Sequence, residues 1–464
     1  MRGGSTQITP STNGAAHGAE PVRDLAGVLR VIACGSVDDG KSTLIGRLLH
    51  DAKAIHMDQL EAVRAASAAR TPGKLDLSLL TDGLRAERAQ GITIDVAYRF
   101  FTTPRRRFIL ADTPGHTHYT RNMITGASTA DAAMIVLDAR NGVVEQTRRH
   151  TCIAALLGVP RLFVCVNKMD MVGFDRARFE QIRSDFLALA ASARPDARSS
   201  VADRMTVSVM PISALWGDNV VERSERMPWF EEPALLDQLE SCPDRPSLER
   251  SGLRLVIQCV VGQPAGSAGG SPVCGGRIGA GALNVGDEVV ALPSGRRSTV
   301  AGIHIGRDSI PHAAAPGSVS VMLKDDLGLT RGDTLVGGSE GGGAGPMVTR
   351  DLEATVVWMT TDPLTIGRRV LVKHGGRTIS ATVRTLADRF SVQTLELESR
   401  VEDMQLNHIG RVGLDLSTEL VCDPYALCRE TGSFILIDEA SNNTVGAGMI
   451  LAPGGDAATR RGGS

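Results

Sequence analysis

The stretch from Leu29 to Ser42 constrains this chain more than any other. An apolar run, Leu29 to Cys34, leads into GSVDDGKS, Gly35 to Ser42, which fits the pattern G-x-x-x-x-G-K-S. Glycines in such a loop let successive backbone N–H groups turn inward around a di- or triphosphate. Lys41 supplies a point charge to the outer phosphates, and the Ser42 hydroxyl faces a Mg²⁺ ion. The amphipathic stretch Ser42 to His50 predicts a helix whose N-terminus points at the anion, where the helix dipole and free N–H groups favour negative charge. Gly35, Ser36, Val37, Asp38, Asp39, Gly40, Lys41, Ser42 and Thr43 are therefore the expected phosphate-binding residues.

The remaining chain divides by pattern. From about residue 27 to residue 239, buried strands alternate with amphipathic helical stretches, the signature of a mostly parallel sheet with helices on both faces. The apolar strands are Leu29–Cys34, Phe108–Ala111, Ala133–Asp138, Leu162–Asn167 and Val207–Ile212, with Ile94–Phe101 an edge strand turned back through Thr103–Arg107. From Leu253 the helical period gives way to short alternating segments between glycine and aspartate turns, the texture of β-barrels. SEGGGAG, Ser339 to Gly345, reads as a linker between two such series. The expected organisation is an α/β phosphate-loop domain at 25–245 and β-barrels at 246–340 and 347–453. Polar, glycine-rich segments at 1–24 and 454–464 are expected to be disordered.

Composition excludes little and fits the rest. Hydrophobic content of 42% with 22% charged residues is that of an ordinary globular protein. A formal net charge of −2 gives no composition-level ground for a nucleic-acid or anionic-membrane partner, and no apolar run reaches the roughly 20 residues of a membrane helix. The eight cysteines are scattered without a C-x-x-C pair, so they read as small buried hydrophobes of a reducing, cytoplasmic setting.

Further motifs select the nucleotide. DTPGH, Asp112 to His116, follows a strand; Asp112 can hold Mg²⁺ through water, Thr113 and Pro114 shape the turn, and the Gly115 amide can reach a γ-phosphate. NKMD, Asn167 to Asp170, ends a later strand. Its Asp170 carboxylate can accept from guanine N1–H and N2–H₂, which adenine cannot offer, while Asn167 and Lys168 hold the loop around Met169. The Ser213–Ala214–Leu215 segment would present a backbone N–H to guanine O6. Thr93 lies between the phosphate loop and DTPGH, where a threonine can close over the γ-phosphate and complete the Mg²⁺ shell with Ser42 and Asp112. The expected ligands are GTP and Mg²⁺. Water attacks in line, with Lys41, Thr93 and His116 as the catalytic groups and His116 orienting the water.

GSVDDGKST, ERAQGITIDVAYRFF, ADTPGH and NKMD resemble the translation-factor class of GTPases, which carry a GTPase domain followed by two β-barrels. A narrower likeness lies in LLTDGLRAERAQGITIDVAYRFF, YTRNMITGASTADAAMIVLDARNGVVEQTRRH, GDNVVERSERMPWF and SFILIDEASNNTVGAGMI. These are similar to the GTPase subunit of bacterial sulfate adenylyltransferase. That resemblance implies a smaller catalytic subunit as partner. The complex would use ATP and sulfate to make adenylyl sulfate and pyrophosphate, an uphill reaction coupled to GTP hydrolysis. The sequence departs from the family at Thr117-His118 and in Gly262–Gly276.

The competing reading is a translation-factor GTPase delivering aminoacyl-tRNA; a stand-alone GTPase switch is a third. Near-neutral charge and the sulfurylase-like stretches weigh against the first, and the third is the least favoured. The Arg105–Arg107 run reads as a solvated hairpin turn, and Arg148, Arg149 and His150 as a solvated or partner-facing helix face.

Overall fold

The computed structural model describes residues 26–55, 57–70, 76–80, 96–114, 120–193, 205–243, 252–262, 272–338, 345–391, 394–399 and 401–452. The expectations for 1–24, 454–464, Thr93, Gly115, His116 and most of the Ser339–Gly345 linker lie outside the described residues.

The first domain is a six-stranded sheet. Its strands are β1 (Ala26–Gly35), β2 (Ala97–Thr102), β3 (Arg106–Asp112), β4 (Ala132–Asp138), β5 (Arg161–Asn167) and β6 (Thr206–Pro211). The order is β2-β3-β1-β4-β5-β6, antiparallel at the β2 edge and parallel elsewhere. Strand β4 is buried along its whole length, as a near-continuous apolar run between two helical layers must be. The helices are α1 (Lys41–Asp51), α2 (Met57–Arg70), α3 (Thr120–Ser128), α4 (Glu145–Leu156), α5 (Arg176–Ser192) and α6 (Leu235–Glu240). Strand order reverses at β1, which has β3 on one side and β4 on the other. The crevice beyond the carboxyl ends of these strands is therefore where a ligand belongs.

Two antiparallel barrels follow. The first closes through Arg254–Val261, Val273–Ala280, Gly317–Leu323, Arg296–Ile305, Glu288–Leu292 and Thr334–Gly337. The second closes through Arg369–His374, Ser433–Ile437, Thr444–Ile450, Met347–Trp358, Ile409–Cys422 and Arg377–Phe390. Closure satisfies the strand edges that an open sheet would expose.

The second barrel is fused to the first domain. Val357, Met359, Phe390, Ile409, Tyr425 and Met449 share one apolar cluster with the core of the α/β sheet. The Tyr425 hydroxyl donates to Leu157 O at 3.0 Å, and the Arg429 guanidinium donates to Gly158 O. The two barrels are stapled by a buried pair in which Arg254 Nε and Nη2 grip the Asp423 carboxylate at 3.0–3.2 Å. Thr431 Oγ1 donates to the same carboxylate at 2.6 Å, and His374 Nε2 meets Thr431 O at 2.8 Å. Burial holds the His374 imidazole below its ordinary pKa, so it sits neutral in this network.

Two expectations fail here. Arg106 is only 1% exposed: it occupies an inward position of β3, donates to Gly27 O at 3.2 Å and also donates to Cys242 O. It thus ties the end of the domain to the start of the sheet, while Arg105 and Arg107 are exposed, Arg105 pairing with Asp237 and Glu240. His150 is likewise buried in α4 and pressed down to a pKa of about 3, first by burial and then by the Arg149 and Lys41 charges. The cysteines are free and buried except Cys259, which is exposed.

Candidate functional site

Strand register brings Gly35, Asp112, Asp138 and Asn167 to the carboxyl edge of the sheet, through the pairs Ala33↔Asp112, Gly35↔Val136 and Asp138↔Asn167. The phosphate loop leaves β1 at Gly35, where a Cβ would stand 2.9 Å from Val136 O. The loop closes on itself: Ser36 N donates to Asp39 Oδ2 at 2.8 Å and Asp39 N to Ser36 O at 3.3 Å. Burial pushes the Asp39 carboxyl up to about 6; the neighbouring Asp138 charge adds to this, while the hydrogen bond from the Ser36 amide and the Lys168 ammonium oppose it. Val37 faces solvent, Asp38 lies at φ 67°, and Ser42 and Thr43 are half-buried. Gly40 caps α1 with φ 89°, and a Cβ there would fall 2.4 Å from Asn167 Nδ2. Only glycine fits between these two loops.

Lys41, 6% exposed, is the first residue of α1 and pairs with the buried Asp112 carboxylate. Thr113 anchors the following turn through Oγ1 to Ala33 O at 2.8 Å, and Pro114 is buried beside it. Thr93, Gly115 and His116 lie outside the described residues.

The base-side loop is cross-braced. Asn167 Nδ2 donates to Asp39 O at 2.8 Å, and its Oδ1 accepts from Ala214 N at 2.9 Å. Lys168 adopts φ 61°, donates to Asp38 O, and pairs with Asp138 Oδ2 at 2.9 Å. Met169 is fully buried and its N–H donates to Ile212 O at 3.2 Å. Ser213 Oγ donates to Asp170 Oδ1 at 2.6 Å, and Leu215 stands exposed at the rim.

The sequence reading did not anticipate three residues. Asp138 takes Lys168 on one side and Arg140 on the other, with Arg140 Nε at 3.0 and 3.1 Å and Arg140 N at 2.9 Å. Burial alone would raise the Asp138 carboxyl, yet the hydrogen bonds from Arg140 and Lys168 hold it well below the usual carboxylate range. Arg47 reaches from α1 to the 213–215 segment, with Nε to Ala214 O at 3.1 Å and Nη2 to Leu215 O at 2.6 Å.

These features suit a magnesium–GTP ligand. Gly40 keeps the cradle open, Ser36 Oγ is buried there without a hydrogen-bond partner, and Lys41, Ser42 and the Asp112 carboxylate supply the cation and the hard oxygens. At the other end the Asp170 carboxylate accepts from Ser213 Oγ through Oδ1, while the Ala214 N–H is taken up by Asn167 Oδ1.

A phosphate loop at a sheet switch point, an Asn-Lys-x-Asp loop and two closed barrels define a GTPase of the translation-factor class. Residues 27–245 match the family model "Elongation factor Tu GTP binding domain", and residues 351–451 match "GTP-eEF1A C-terminal domain-like". The chain belongs to the sulfate adenylyltransferase subunit 1 family. It is 47% identical to sulfate adenylyltransferase subunit 1 of Laribacter hongkongensis over 425 residues, covering 91% of this chain and 85% of that one. The corresponding figures for the Vibrio vulnificus subunit 1 are 45%, 91% and 86%. The bifunctional enzyme CysN/CysC of Mycobacterium tuberculosis is 45% identical over 91% of this chain and 67% of its own length. Among the described residues no helix is long and apolar enough to cross a membrane.

Proposed function

We propose that this chain is the GTP-binding, GTP-hydrolysing subunit of sulfate adenylyltransferase. It couples GTP hydrolysis to the formation of adenylyl sulfate and pyrophosphate from ATP and sulfate on a separate, smaller catalytic subunit in the cytoplasm. The observation that carries this reading is similarity along almost the whole chain to sulfate adenylyltransferase subunit 1, joined to a cross-braced guanine-nucleotide site. Translation-factor GTPases share the fold, and among the described residues of the site none favours that reading over this one.

Within this reading Asp170 accepts from the guanine edge, with Asn167, Lys168, Met169 and Ser213 to Leu215 holding the base loop against the phosphate loop. The amides of Val37 to Ser42 and the Lys41 ammonium neutralise charge that builds on the phosphates in the transition state. Mg²⁺, held by Ser42 and Thr93 and through water by Asp112, would supply further charge neutralisation on the outer phosphate oxygens. His116 orients the attacking water. Mixed-anhydride formation can draw on this hydrolysis only if the partner's contacts differ between GTP- and GDP-bound states.

Reconstitution tests the proposal. The isolated chain should hydrolyse GTP slowly and release no pyrophosphate from ATP and sulfate; adding the small subunit should start sulfate-dependent release. Lys41→Ala should remove its stimulation by GTP. His116→Ala should lower GTP turnover by about 10²-fold or more with GTP affinity retained, the scale of a lost positioning group. Adenylyl sulfate synthesis by the chain alone, or tight GTP-dependent binding of aminoacyl-tRNA, would overturn the reading.

A further inference from the structure

A sheet of parallel strands normally has both faces covered. Helix α3 covers one face of the β1–β3 region only near the carboxyl ends of the strands. It closes tightly there: a Cβ on Gly126 would stand 3.1 Å from both Ile32 Cδ1 and Thr113 Cγ2. Towards the amino ends of β1 and β3 the same face carries exposed residues, Arg30 and Phe100 among them. The pairs Tyr98↔Ala111, Phe100↔Ile109 and Arg30↔Ile109 set these side chains in adjoining rows. Phe100 is 71% exposed and Tyr98 46%, and a cavity of about 200 Å³ lies between them, Ile109 and Ala130 beyond the end of α3. Exposed aromatic side chains beside a ready-made apolar cavity mark an interaction site.

The charges around this face narrow the occupant. Arg30 and Arg107 are exposed at its edge, and neither forms an ion pair with a described carboxylate. A two-fold contact with a second copy would bring the same arginines face to face, at a cost in like-charge repulsion. A polynucleotide needs many phosphate contacts, and two edge cations on a chain of net charge −2 are a poor match for one. The lining suits a protein side chain that is apolar and flanked by carboxylates.

The location narrows it further. Strand β3 runs from this face to Asp112, which pairs with Lys41, and Thr113 follows at once and touches Gly126 of α3. An occupant wedged between β2, β3 and α3 therefore bears on the elements that hold the phosphate end of the nucleotide site. We propose that the Tyr98–Phe100 face is a docking site for the separate catalytic subunit, which seats an apolar side chain flanked by acidic residues in the cavity and meets Arg30 and Arg107. This rests on the reading of function above.

The test compares the full-length chain with its Phe100→Ser and Arg30→Glu/Arg107→Glu variants for binding to the purified small subunit by calorimetry. Phe100 is solvated, so Phe100→Ser should melt as the wild type does and keep its intrinsic GTP affinity. Each variant should bind the small subunit at least tenfold more weakly, and GTP stimulation of pyrophosphate release should need correspondingly more subunit to reach half-maximum. Binding within twofold of wild type in both variants would overturn this docking surface alone. Failure of the wild-type chain to bind the small subunit would overturn it together with the function proposed above. Loss in the variants of self-association, or of binding to single-stranded RNA, with small-subunit affinity unchanged, would assign the face to those partners instead.

Discussion

Replacing Gly40 by alanine tests whether the phosphate loop and base loop form one braced unit. Gly40 sits at φ 89°, and the added Cβ would lie 2.4 Å from Asn167 Nδ2, far inside contact distance. A left-handed backbone costs a non-glycine residue about 1–2 kcal/mol. Relief of the clash must move the Asn167 amide, whose Nδ2 donates to Asp39 O and whose Oδ1 accepts from Ala214 N, both buried. Leaving one such group unsatisfied costs about 1–3 kcal/mol, so the sum is about 2–5 kcal/mol. If that cost falls on the nucleotide-competent loop, GTP affinity drops between about thirtyfold and a few thousandfold. Titration with a fluorescent GTP analogue reads this directly. The double variant Gly40→Ala/Asn167→Ala removes the clash but keeps the backbone cost. The two changes should therefore be strongly non-additive, with a coupling of about 1–3 kcal/mol. A Gly40→Ala chain that binds GTP within threefold of wild type would refute the bracing argument.

Other outcomes follow from the same structure. Asp138→Asn should loosen Lys168 from its place over the phosphate loop, speeding GTP and GDP dissociation about tenfold, or about 1.4 kcal/mol, with turnover at saturating GTP unchanged; stopped-flow release checks it. Asp39, raised to about 6, keeps a proton in the folded state after the unfolded chain has lost it. Its contribution thus makes stability fall as pH rises from about 4 to 6, and Asp39→Asn should flatten that part of the unfolding-midpoint profile of the nucleotide-free chain. Arg254→Ala should strand the buried Asp423 charge between the barrels and destabilise them by about 3–5 kcal/mol, and adding Asp423→Asn should restore part of the loss in a thermal melt.

The fold was legible because its signals are local. The apolar run into Gly35–Ser42, the fully buried Ala132–Asp138 strand and the glycine-punctuated second half each carry their own period or turn chemistry. The loops at Asp112 and Asn167 could be found by order along the chain. Asp138 could not: its partnership with Lys168 depends on β4 and β5 lying side by side in the register Asp138↔Asn167. Arg47 was hidden for the same reason, since its acceptors in the 213–215 segment come from the far end of the domain. Arg106 and His150 are a different kind of miss. Arg106 is two residues from buried Phe108 on a strand, and Thr147, His150, Thr151 and Ala154 recur at helical spacing on one buried face. The periodicity was there, and charge argued against it; the backbone carbonyls of Gly27 and Cys242 accept from the guanidinium and make it acceptable at that place.

The shared cluster of sheet and second barrel has a consequence for biosynthesis. Residues from Val357 to Met449 complete a core whose other side is finished by about residue 240. At about 5–20 residues per second, the ribosome needs roughly 10–40 s to add the intervening 200 or so residues. Through that interval the nascent first domain presents an uncovered apolar seam beside Leu157, next to the backbone carbonyls that Tyr425 and Arg429 later cap. Synthesis order and packing order are therefore out of step in this chain. A holdase working at the tunnel exit would meet that apolar seam until the last barrel arrives.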